Sequence, residues 1–97
     1  MTQFTFTVKE AEAARILVQS CLSAMGGKRP ADLEYDEFTW IDIKDLMAKG
    51  KSRHEAAGLF SALADKGFIG EYNPGEWIVN TEGWKFMDTI WDQEVAA

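Results

Sequence analysis

Apolar residues recur along the first quarter of the chain with a helical period. From Val8 to Met25, at 100° per residue, Val8, Ala11, Ala14, Val18, Cys21, Leu22 and Met25 gather on one side. Glu12, Gln19 and Ser23 lie opposite, with Ile16 an apolar residue out of place among them. Thr7-Val8-Lys9-Glu10 has capping-box spacing, in which the hydroxyl and the carboxylate each satisfy a free backbone N–H. Phe6 stands where a hydrophobic staple would sit. Gly26-Gly27 ends the segment, because glycine takes the left-handed cap without steric cost. The pattern predicts helix one over 8–25.

Residues 26–37 read as a polar, acidic surface loop containing Pro30 and Asp32-Leu33-Glu34-Tyr35-Asp36-Glu37. Phe38-Thr39-Trp40-Ile41 is aromatic and β-branched, a short strand over 38–41. Asp42 caps helix two, 42–49, whose inner side is Ile43, Leu46 and Met47 and which Gly50 stops. Ser52-Arg53-His54-Glu55 is a second capping box and opens helix three, 52–66, closed by Gly67. The connection Gly50-Lys51 is so short that helices two and three must meet at a steep angle. Phe68–Tyr72 and Trp77–Asn80 form a hairpin over 68–80 around Asn73-Pro74-Gly75-Glu76. Pro74 sets the first corner and Gly75 supplies the positive φ of a type II turn. Asn80 or Thr81 caps helix four, 82–94. On it Trp84, Met87, Trp91 and Val95 share one side, while Phe86 and Ile90 lie on another.

The expected fold is a single domain spanning 1–97, mostly α with a small antiparallel β-hairpin. Composition agrees. Hydrophobic residues make up 46% and charged residues 27% of 97, an ordinary globular balance that excludes wholesale disorder. The single Cys21 excludes an intramolecular disulfide and any Cys-rich metal framework, and fits a reducing, cytoplasmic compartment. No apolar run is long enough for a membrane span, and the first residues carry no export signal.

Enzyme chemistry has little to stand on. His54 is the only histidine, Cys21 falls on the buried side of helix one, and no Gly-rich phosphate loop or nucleophile elbow is present. The reading is a non-enzyme without metal or cofactor.

The net charge is −6, with acids concentrated in 31–45 and 68–97 and cations in 1–30 and 46–67. The main basic cluster is Lys49, Lys51 and Arg53 with His54, at the start of helix three, where N–H groups already point outward. Lys51 and Arg53 are both expected to be exposed there.

The order helix, short strand, helix, tight turn, helix, hairpin, helix resembles a winged helix-turn-helix domain, and in particular the MarR-like and PadR-like bacterial regulators. The resemblance rests on residues 38–91. Leu63, Lys66, Gly67, Phe68 and Ile69 stand where that family ends its recognition helix and starts its wing. Asn80-Thr81-Glu82-Gly83-Trp84 is similar to the Thr-x-x-Gly opening of the helix after the wing, with Gly83 one place early. The resemblance implies four helices and a two- to three-stranded wing. It also implies a transcriptional regulator that binds double-stranded DNA through Lys49, Lys51, Ser52, Arg53, His54 and Ser61, with further phosphate contacts from Lys28 and Arg29. Such regulators pair through their terminal helices, which implies a homodimer using Ile16, Phe86 and Ile90.

A second reading starts from the surface chemistry. The outward side of helix three carries His54, Ala57, Gly58, Ser61, Ala62 and Asp65, with none of the Arg, Lys, Asn or Gln that match base edges. The hairpin tip is acidic, with no basic residue between Lys66 and Lys85. On this reading the chain is an acidic winged-helix interaction module, or a nucleic-acid mimic that binds and inhibits a partner protein without touching DNA.

Overall fold

A computed structural model describes residues 4–36 and 38–93. The first helix, α1 (Val8–Met25), has the predicted bounds. Both halves of its cap are made: the Thr7 hydroxyl accepts from the Glu10 N–H at 3.2 Å, and Glu10 Oε1 accepts from the Thr7 N–H at 2.9 Å. Gly26 closes it in the left-handed region at φ 79°. The buried face is Ala13, Ala14, Leu17, Val18, Cys21 and Leu22, whereas Val8 and Met25 at the two ends are exposed. Neighbouring elements lie on several sides of α1, so even Ile16 is half-buried against the core.

The acidic loop is not a free surface loop. Pro30–Leu33 forms a 3-10 turn that packs on the last helix, with Pro30 buried. Asp32 accepts from the backbone N–H groups of Lys28 and Arg29 at 2.8 and 3.1 Å, which shapes the turn and holds its carboxyl below the usual aspartate range. Glu37 lies outside the described residues.

Strand β1 (Trp40–Ile41) runs into α2 (Ile43–Met47), and α3 (Arg53–Asp65) follows. Asp42 caps α2 by accepting from the Lys44 N–H, and Asp45 bonds back to the Asp42 N–H, each at 2.9 Å. The second expected capping box is only half closed. The Ser52 hydroxyl accepts from the Glu55 N–H at 3.1 Å, but the Glu55 carboxylate turns to Lys9 on α1.

Strands β2 (Ile69–Asn73) and β3 (Glu76–Val79) form the hairpin, and β1 joins on the far side of β3. The result is a three-stranded antiparallel sheet in the order β1-β3-β2. Gly75 has the positive φ of 80° that the turn demands, and its N–H is held by Glu71 Oε2 at 2.9 Å. A register irregularity between Glu71 and Asn73 lets two twisted strands meet across this turn.

The last helix, α4 (Thr81–Ile90), uses both of its apolar sides internally. Trp84 and Met87 are fully buried in the core. Phe86 joins Phe4, Phe6 and Phe68 in an aromatic group, with centroids 5.3 Å from Phe4 and 5.8 Å from Phe6. Ile90 is half-buried against the core. Phe86 and Ile90, expected to stand outward at a homodimer interface, are instead half-buried within their own chain, Phe86 against Phe4 and Phe6. The expected Asn80 cap is also different, since its amide donates to the Gly67 carbonyl at 2.9 Å and ties the helix to the hairpin base. Glu94 and Val95 lie outside the described residues. Among the described residues no helix is long and apolar enough to cross a membrane.

Candidate nucleic-acid interface

The junction of α2 and α3 brings together five of the sequence-predicted residues. Lys49, Arg53 and His54 are exposed around the turn, Ser52 is exposed as the cap of α3, and Ser61 is exposed two turns further on. The short link from Met47 to Ser52 forces the close approach, and Leu46, Ala56 and Phe60 anchor the two helices from below.

Two predicted phosphate ligands are committed elsewhere. Lys51 is not exposed: its side chain is 11% accessible and its ammonium donates to Glu12 on α1 at 2.7 Å. Arg29, 40% accessible, is paired with Asp88 of α4 and with Asp92 just beyond it, at 3.2 Å each. Those carboxylates, Asp88 foremost, raise the guanidinium's affinity for its proton further. Lys28 remains exposed.

The same accounting extends to every Lys and Arg. Lys9 pairs with Glu55, Arg15 donates to the Trp91 carbonyl, and Lys66 bonds Glu10 and the Thr5 carbonyl. Among the described residues, Lys28, Lys44, Lys49, Arg53 and Lys85 have no side-chain partner, and all are exposed. Three of these, Lys44, Lys49 and Arg53, stand on α2, the turn after it and the start of α3. Lys44 was missed in the sequence, although helical spacing from Asp42 places it away from Leu46.

A cleft of about 410 Å³ opens between α2, the start of α3 and the hairpin tip. Ile43, Met47, Phe60 and Trp77 give it apolar walls, and Lys44 and Arg53 line it too. Along α3, Ala57, Gly58 and Ser61 are exposed, and the space beyond Gly58 is open. The face is smooth, with no long donor to reach a base edge. Glu71 and Glu76 are exposed on the hairpin, Glu71 holding the turn through its bond to Gly75.

No known family, curated protein or solved structure matches this chain.

Cys21 takes no part in the site. Burial, reinforced by the negative charges of Asp45 and Asp36, pushes its thiol up to about 12. It is a core side chain.

Proposed function

We propose that the chain is a small winged-helix DNA-binding regulator that docks on duplex phosphates through the α2–α3 junction. The observation that carries this reading is the placement of the unpaired cations. In a protein of net charge −6, Lys44, Lys49 and Arg53 converge on one helix junction while other cations are spent on internal pairs.

Support also comes from the element order, from the strand order β1-β3-β2, and from the cleft that α2 and α3 share with the hairpin residues Gly75 and Trp77. The first turn of α3 adds backbone N–H groups to the cationic side chains. The smooth face at Ala57, Gly58 and Ser61 lets the helix lie close to the groove without clashing. That face supplies no bidentate reader of a base, so discrimination between sequences is weak and rests on DNA shape.

The test is duplex binding by fluorescence anisotropy across a salt series. Neutralising about 3 phosphates gives a slope of roughly −2.7 in log affinity against log salt. Lys49→Glu with Arg53→Glu abolishes binding, whereas Lys85→Glu leaves it unchanged. Lys51→Glu is the wrong probe, because it places a carboxylate against Glu12. No binding at low salt sinks the regulator and leaves the interaction module.

A further inference from the structure

Three aromatic side chains stand in water on the side of the sheet turned away from α3. Phe38, Trp40 and Tyr72 are 62%, 48% and 50% exposed. Their rings touch edge to face, with centroids 5.4 Å apart for Phe38–Tyr72 and 5.6 Å for Trp40–Tyr72. Strand alternation identifies the side. Trp77, opposite Ile41, packs on Phe60 of α3 at 5.2 Å, so that face points inward. Trp40 lies opposite Ile78 on the other face. Ile78 is only 5% exposed yet does not belong to the contiguous core. The outer face thus carries an apolar layer of its own.

Folding does not require rings this exposed, and clustered surface aromatics mark contact sites. Trp and Tyr are also the residues that most often anchor protein interfaces. The charges around them select the occupant. The described residues of the segments 34–40 and 70–78 that build this face include Glu34, Asp36 and Glu76 and no Lys, Arg or His, while Glu71, opposite Trp77, belongs to the inner side. Glu34 and Asp36 line one hollow together with Phe38. Glu76, two residues before Ile78, falls on the same face of β3 and is exposed.

We propose that this face docks a cationic segment of a partner protein, in which Arg or Lys alternates with apolar residues. The cations stack on the exposed rings and meet the flanking carboxylates, while the apolar residues cover the aromatic layer. Nucleic acid is a poor occupant, because the same carboxylates repel phosphate. A second copy presenting this face would set carboxylate against carboxylate. The inference does not depend on DNA binding, which uses the junction on the α3 side.

The probe is a synthetic peptide of alternating Arg and Leu, titrated into the full chain while acrylamide quenching of tryptophan is followed. Trp40 is the most exposed of the four indoles, so docking reduces quenching. Affinity falls by at least about tenfold in Tyr72→Ala and in Glu76→Lys. Both positions are exposed on the hairpin, and circular dichroism confirms that the variants fold. Duplex DNA affinity of Tyr72→Ala stays at the wild-type value, which separates the two proposals. Equal binding of a Glu-for-Arg peptide, undiminished binding by Tyr72→Ala, or unchanged quenching overturns the assignment. So does tryptophan quenching that rises on dilution in step with dissociation of a dimer seen by sedimentation, which would put a second copy on this face.

Discussion

Gly83, in the first turn of α4, lies directly against the backbone of Phe68. A Cβ at this position would sit 2.6 Å from the Phe68 carbonyl oxygen and 3.1 Å from Val79 Cγ1. The same carbonyl accepts the Asn80 N–H at 3.0 Å, so the base of the hairpin and the start of α4 are locked at one point. Only a residue without a side chain permits this approach.

Gly83→Ala is therefore expected to lower stability by about 1–3 kcal/mol, despite alanine's better helix propensity. Urea unfolding measures this directly. A midpoint at or above the wild-type value would mean that α4 can shift away from Phe68 at no cost.

The Lys51–Glu12 pair ties the α2–α3 junction to α1. Its Lys side chain is mostly buried and its Glu side chain 42% exposed, so the pair lies between a surface and an interior bridge. A double-mutant cycle with Lys51→Ala and Glu12→Ala should return a coupling of about 1 kcal/mol. Arg53→Ala, an exposed neighbour without a partner, should change stability by less than about 0.5 kcal/mol. Equal effects of the two single cation deletions would remove Lys51 from its structural role.

Acid should weaken the fold in part through Glu10. The ammonium of Lys66 and the Thr7 N–H hold its carboxyl below the usual glutamate range. A carboxylate whose pKa is lowered on folding contributes fully above its unfolded value and loses that contribution as pH falls through the folded value. Asp32, lowered by the Lys28 and Arg29 amides, acts with the same sign. Glu10→Gln should flatten the loss of stability between about pH 5 and about pH 3, read from urea midpoints across that range. An acid limb as steep as the wild type would exclude Glu10 as a contributor.

Phe86 serves the interior of its own chain. Phe86→Glu with Ile90→Lys should unfold the domain, because two charges replace side chains packed on Phe4, Phe6 and the core. Far-UV circular dichroism and sedimentation together check this. A folded monomer from that variant would restore these residues to an outward surface.

The capped helices and the hairpin were legible because their signals are local. Thr7 with Glu10, Asp42 before α2, Ser52 before α3 and Gly75 in its turn each act within a few residues, and periodicity placed Ala14, Val18, Cys21 and Leu22 on the buried face of a helix, though it passed over Leu17. Fine detail was lost where a tertiary partner competed. Glu55 left its box for Lys9, and the Asn80 side chain left its helix for Gly67. The candidate site was legible by position but not by availability. Lys49 and Arg53 are free, whereas Lys51 and Arg29 look the same in sequence and are already paired.

By itself, then, the sequence determined where α1 to α4 begin and where the hairpin must turn, since backbone hydrogen bonds and caps are satisfied by neighbours along the chain, whereas the 3-10 turn at Pro30–Leu33 escaped it. Tertiary structure alone decided which charges remain free and which apolar faces remain open. Lys51 finds Glu12 across 39 residues and Arg29 finds Asp88 across 59. Phe86 is covered by Phe4 and Phe6, while Phe38, Trp40 and Tyr72 stay in water. An aromatic ring or a cation has the same chemistry in either place, and only the packing of distant elements determines whether it meets a partner or the solvent.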